Sequence, residues 1–133
     1  MANSPAKPAG RLKKRPQFLR VAKGEKVAMP GLVLQARRRS DVPGAFIDSD
    51  ATACRIGFTA TKKIGNAVVR NRTKRRLRAA AAVLLPQYSR PDYDYVLVGR
   101  MTTPARKFEA LCDDLQKALM RVHQEPKAVN KNK

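Results

Sequence analysis

Between Asp50 and Asp92 the chain has no acidic residue but ten basic ones: Arg55, Lys62, Lys63, Arg70, Arg72, Lys74, Arg75, Arg76, Arg78 and Arg90. A surface chosen only for solubility mixes its signs. An unmixed block repels itself unless a polyanion answers it. Whatever fold the chain adopts must therefore display this charge. The whole sequence holds 29 Lys+Arg against 10 Asp+Glu, a net +19, so the block supplies ten of the nineteen excess charges. Nucleic acid, an anionic membrane surface and an acidic protein are the partner classes that fit.

The rest of the composition narrows the setting. A length of 133 residues suits one domain with a core, and an apolar fraction of 43% argues against wholesale disorder. No apolar run approaches the roughly 18 residues of a membrane span. Met1 to Arg20 has no apolar stretch of the signal-peptide kind. The expectation is a small soluble protein of the cytoplasm. Cys54 and Cys112 make no disulfide framework or zinc spacing and read as reduced thiols. His123, the single histidine, falls near a helix end with no nucleophile or second ligand in view.

Local patterns place the elements. Residues 1–10 read as a disordered tail, 11–125 as one domain and 126–133 as a loose tail. Pro16 can open a short helix with Phe18, Val21 and Ala22 on one face and Gly24 at its end. A strand runs from Leu32 to about Arg38, and 40–52 has loop composition. Arg55 to Thr61 alternates Ile56, Phe58 and Ala60 against Arg55, Gly57, Thr59 and Thr61, a half-buried strand. Lys62 to Gly65 is a turn, and Asn66 caps a helix that reaches Leu85 before Pro86. A strand follows from Tyr95 to Arg100. Thr103-Pro104 has the form of a helix start, with Phe108, Leu111, Leu115, Ala118, Leu119 and Val122 at helical spacing after it. The order helix, strand, strand, helix, strand, helix predicts a layered α+β fold.

The helix from Asn66 concentrates the charge. At about 100° per residue, Val69, Thr73, Leu77, Ala80 and Leu84 fall within an arc of roughly 80°, which can dock on a sheet. Arg70, Lys74 and Arg78 step along one flank, Arg75 lies on the far side, and Arg72 and Arg76 flank the apolar arc from the other direction. Like charges four apart cost an isolated helix a few tenths of a kcal/mol each, so structure alone does not ask for them. Five of the six cations between Arg70 and Arg78 are arginine, which forks onto phosphate and stacks on bases. Lys62 and Lys63 lead into the free N–H groups of the helix start, a setting for phosphate. A membrane role fits less well, since the apolar arc is needed for the core.

The run from Arg55 to Arg78, RIGFTATKKIGNAVVRNRTKRRLR, resembles the signature of the bacterial ribonuclease P protein subunit. Arg70-Asn71-Arg72 matches that family's RNR motif, and Lys62-Lys63-x-Gly65 matches the segment before it. The resemblance extends upstream to Arg11-Leu12-Lys13-Lys14 and Phe18, and downstream to Asp94–Arg100. It implies an α/β sandwich with a small mixed sheet of about four strands, of the kind seen in the second domain of a small-subunit ribosomal protein, in the order α-β-β-(β)-α-β-α. It also implies an accessory subunit that binds a catalytic RNA, one protein per RNA, and helps it remove the 5′ leader of precursor tRNA.

Carried over by position, Arg70, Asn71, Arg72, Lys74, Arg75, Arg76 and Arg78 would face the catalytic RNA. Phe18, Thr61, Lys62, Lys63 and Arg100 would line a cleft for the single-stranded leader. The resemblance makes hydrolysis RNA-based, with Mg2+ held mainly by the RNA and substrate, so it assigns the protein no catalytic residue and no metal ligand. Ala22 and Gln35 stand where the family often has aromatics, which leaves stacking mainly to Phe18. A free-standing metal nuclease would need converging carboxylates, and the pairs Asp48/Asp50 and Asp92/Asp94 read as solubilising loop acids. A general RNA-binding or ribosomal-type protein is the alternative reading; the spacing of Lys62-Lys63, Gly65 and Arg70-Asn71-Arg72 favours the tRNA-processing one.

Overall fold

A computed structural model describes residues 10–39 and 54–123. The expected tails and the Asp48/Asp50 pair lie outside them, except Gly10, which joins a strand. In chain order the elements are β1 (Gly10–Arg11), α1 (Arg15–Ala22), β2 (Glu25–Ala28), β3 (Leu32–Arg38), β4 (Arg55–Thr59), a 3-10 turn (Lys62–Ile64), α2 (Ala67–Tyr88), β5 (Tyr93–Gly99) and α3 (Phe108–Val122). The fold is α+β, as expected. Its described sheet has five strands in the order β1-β4-β5-β3-β2, where about four were anticipated. β3 runs antiparallel to β2 and β5, while β4 lies parallel to β1 and β5. The parallel pair β4–β5 needs a crossover, and α2 provides it.

Strand alternation divides the side chains between two faces. On one face Leu32, Leu34, Ala36, Ile56, Tyr95 and Leu97 meet Leu77, Ala80 and Leu84 of α2 and Leu111, Leu115 and Leu119 of α3. On the other face Val96 packs with Leu12 and Val21, flanked by Phe18 and Val98. Gly57, grouped by alternation with polar neighbours, is buried on this second face. A Cβ there would stand 2.5 Å from the Phe18 ring, so only glycine lets that ring rest on β4. Phe18 and Val21 face inward as predicted, but Ala22 is exposed.

Four boundaries differ from the sequence reading, each for a physical reason. α2 continues through Pro86 to Tyr88. The bond Pro86 cannot donate would have gone to the carbonyl of exposed Ala82, which water can reach, and Ser89 closes the end with its N–H and hydroxyl both donating to the Leu85 carbonyl. α3 starts at Phe108, not Thr103. The Thr103 hydroxyl is taken by tertiary bonds, accepting from the Arg100 N–H at 2.7 Å and donating to the Gly31 carbonyl at 2.6 Å. β4 stops at Thr59 as the chain tightens into the 3-10 turn, and β5 begins two residues early at Tyr93, opposite Arg38. β2 has a single buried residue, Val27, too little pattern to read as a strand.

Candidate nucleic-acid interface

The start of α2 is built to present cations. The Asn66 side chain accepts from the Val69 N–H at 3.0 Å, as the capping rule predicts. Gly65 precedes it with φ +154°, a conformation L side chains rarely adopt. Arg70 donates from Nη1 to the Gly65 carbonyl at 2.9 Å, fastening the turn to the helix. Thr73, Leu77, Ala80 and Leu84 are buried along the predicted arc, and Thr73 donates its hydroxyl to the Val69 carbonyl. Outside that arc Asn71, Arg72, Arg75 and Arg78 are exposed, with Lys74 half-buried beside them. Among the described residues no carboxylate pairs with any cation of α2.

Arg76 is placed differently. Its Nε donates to the Thr103 carbonyl at 3.1 Å and its Nη2 to the Arg106 carbonyl. Arg106 in turn grips buried Asp114 at 2.7 Å. Arg76 thus faces the 100–106 turn rather than the outer side of the helix. Arg55 is also committed within the protein. It and Arg39 hold the two oxygens of Asp94 at 2.7 to 2.9 Å, and Asp92 lies 3.4 Å from Arg38. Asp94 is therefore a clamped structural acid. Among the described residues no group of three His, Cys, Asp or Glu is arranged to hold a metal ion.

The second predicted group gathers at one end of the sheet. Thr59 pairs with Val98, so β4 and β5 finish side by side and release Thr61–Lys63 and Arg100 at the same end. Thr61, Lys62, Lys63 and Arg100 are all exposed. Arg100 donates from Nη1 to the Met29 carbonyl at 2.9 Å, which ties it to the turn between β2 and β3. Val33, Gln35 and Val98 are half-buried on the α1 face, where register sets Gln35 beside Val96 and Val33 beside Val98. Phe18 lies further back, over Gly57. Sequence reasoning did not place Phe58 beside the cations of α2. Alternation made Phe58 a core residue, yet Arg78 lies over its ring at 5.3 Å from the centroid, a cation–π contact between residues twenty positions apart that no local pattern signals.

Neither buried cysteine chemistry nor the histidine adds a reactive group to this surface. Burial pushes the Cys54 thiol above its ordinary range, and the Cys112 thiol likewise. His123 lies within a Tyr93–Tyr95 cluster, its Nε2 2.6 Å from the Tyr95 hydroxyl, which accepts from the Arg90 N–H. Burial, followed by the Arg90 charge, lowers its pKa to about 4.

Fold and surface together define a class: a basic α+β protein with a mixed sheet and one crossover helix whose outer arginines meet no carboxylate among the described residues. Residues 7–123 match the family model described as Ribonuclease P. The chain is 53% identical over 112 residues to the ribonuclease P protein component of Gluconacetobacter diazotrophicus, covering 84% of this chain and 89% of that one. It is 45% identical over 113 residues to that of Ruegeria pomeroyi, covering 84% and 85%. The structure of the Staphylococcus aureus RNase P protein superposes with a TM-score of 0.66 at 26% identity, over 87% of this chain and 97% of that one. The chain belongs to the bacterial ribonuclease P protein family.

Proposed function

We propose that this protein is the accessory subunit of a tRNA 5′-processing endoribonuclease, binding one catalytic RNA through α2 and the 5′ leader of precursor tRNA at the end of the sheet. The observation that carries the reading is the outer face of α2, where Asn71, Arg72, Lys74, Arg75 and Arg78 stand on a capped helix without carboxylate partners among the described residues. Arginines at one-turn spacing can fork onto successive phosphates, and each phosphate neutralised releases counterions, which drives binding. Arg70 and Arg76 shape this face, fixing the turn before the helix and the 100–106 turn. The leader, a single strand, would pass Thr61, Lys62, Lys63 and Arg100 as cations and polar contacts, with Phe18 as its aromatic neighbour.

Chemistry in this reading belongs to the RNA, in the cytoplasm. The described carboxylates do not fit a metal cage, since Asp94 and Asp114 are each held by arginine, and Mg2+ would be held by the RNA and substrate. What the protein supplies is positive charge between two polyanions and a track for the leader.

A reconstituted cleavage assay tests this. Adding the protein to its catalytic RNA should lower the Mg2+ needed to cleave precursor tRNA, and the gain should shrink when the substrate lacks a leader. Protein alone should be inert. Cleavage by rigorously RNA-free protein, or an unchanged Mg2+ requirement, would overturn the reading.

A further inference from the structure

At the outer edge of the sheet the cover over β4 stops early. β1 pairs only with Arg55 and Ile56, and the Leu12 N–H closes on the Ile56 carbonyl at 3.0 Å before the chain turns into α1. A parallel ladder turns the peptide groups of alternate residues the same way. The N–H and C=O of Phe58 therefore point outward, like those of Ile56, where β1 has already ended. Around this edge, which no described strand covers beyond Ile56, Arg11, Leu12, Phe18, Phe58, Lys74 and Arg78 line a depression of about 100 Å3.

Three kinds of group meet there. Phe18 and Phe58 reach the depression from opposite faces of the sheet, one resting on Gly57 and the other beneath the Arg78 guanidinium. Arg11, Lys74 and Arg78 have no carboxylate partner among the described residues. The backbone N–H and C=O of Phe58, which belong to adjoining peptides, offer a donor and an acceptor on the same edge. An unstacked nucleotide asks for this combination: an aromatic neighbour for its base, a donor–acceptor pair for the base edge, and cations for its phosphate. An extended peptide could also add to a free strand edge, but three unanswered cations favour a polyanion.

We propose that the open edge of β4 is a nucleotide subsite. It takes one unstacked RNA nucleotide, with the base against Phe18 and Phe58, the base edge on the backbone N–H and C=O of Phe58, and the phosphate among Arg11, Lys74 and Arg78. The subsite rests on the RNA-binding reading above and extends it to Arg11 and Phe58, which neither predicted group included. It joins those two groups, since Phe18 belongs to one and Lys74 and Arg78 to the other. The nucleotide comes from the catalytic RNA or from the leader, and the chemistry is the same for both.

Short-wave ultraviolet crosslinking of the full chain tests this in three arms: with catalytic RNA alone, with catalytic RNA and precursor tRNA, and with catalytic RNA and tRNA lacking a leader. The expected result is an RNA adduct on the tryptic peptide spanning 56–62. Its presence in the first arm assigns the nucleotide to the catalytic RNA; its presence only with precursor tRNA assigns it to the leader. Phe58→Leu, which keeps an apolar side chain toward the core, and Arg11→Gln should each weaken binding of that RNA about tenfold, the scale of one stacked base. No adduct on this peptide in any arm overturns the subsite, and so does parental RNA affinity in both variants. Precursor cleavage in the same mixtures reports separately on tRNA processing. Stimulated cleavage without the adduct removes the subsite alone, and the adduct without stimulation removes the processing role alone.

Discussion

Two sets of arginines in this fold have opposite surroundings. Arg39 and Arg55 close on Asp94, Arg106 closes on Asp114, and Arg76 reaches two carbonyls of the turn after β5. Arg72, Arg75 and Arg78 touch no carboxylate among the described residues and point away from the core. The first set joins elements that local structure does not join. In the second, Arg78 rests on the Phe58 ring, and no described carboxylate answers the charge of any of the three, which leaves it available to a polyanion. A count of basic residues merges the two sets; their partners separate them.

The comparison breaks most visibly if both sets are substituted. Arg72→Gln, Arg75→Gln and Arg78→Gln together should weaken catalytic-RNA binding by about a hundredfold or more, on the order of 1 kcal/mol or more for each charge-assisted phosphate bond. The unfolding midpoint should stay close to that of the parent. A filter-binding titration beside a urea melt checks both halves. Asp94→Ala should do the reverse. It leaves two guanidinium groups facing each other without their acid and should cost roughly 2–3 kcal/mol of stability, discounted from the buried-pair value because Arg55 is part-exposed. At a temperature where the variant is folded, its RNA affinity should be near the parent's.

Arg76 sharpens the boundary between the sets, because the RNR-helix pattern puts it with the RNA ligands while its contacts put it with the struts. Arg76→Met should cost about 1–2 kcal/mol of stability through the lost bonds to Thr103 and Arg106. Its effect on RNA affinity should be smaller than that of Arg75→Met. An equal loss of affinity from both would return Arg76 to the outer face.

The smallest effect concerns pH. His123 has a pKa of about 4 in the folded protein against 6.5 for an ordinary histidine. Because the folded value is the lower one, the unfolded chain binds more protons between these limits, so stability falls as pH drops through them. Between pH 7 and pH 5 the loss should be ~1 kcal/mol, reduced for the partial exposure of the ring. Urea melts at the two pH values should show it, and His123→Asn should flatten the difference.

Much of this was legible in the chain because its signals are local. The Asn66 cap, the apolar arc of α2 and the stripe of α3 all lie within a few residues of what they predict. Gly57 and Thr103 were misread because their reasons are distant: an α1 ring for one, the Gly31 carbonyl for the other. Thr103 looked like a cap by local rules, and a tertiary bond took its hydroxyl. The candidate site divides in the same way. Exposure of Arg72, Arg75 and Arg78 follows from helical periodicity, but the partner of Arg55 lies 39 residues further along, and Phe58 meets Arg78 only once β4 and α2 have packed. Periodicity assigns a face; it does not say which cations on that face are already spoken for.

The most direct test of the division is the salt dependence of binding to the catalytic RNA. Log Kd should rise linearly with log salt for the parent, and the slope should fall by about two to three when Arg72, Arg75 and Arg78 become glutamine, since each lost phosphate contact removes roughly 0.7–0.9 from it. Arg76→Met should leave the slope where it was. A parental slope in the triple variant, or a drop of about one in Arg76→Met, would contradict the account.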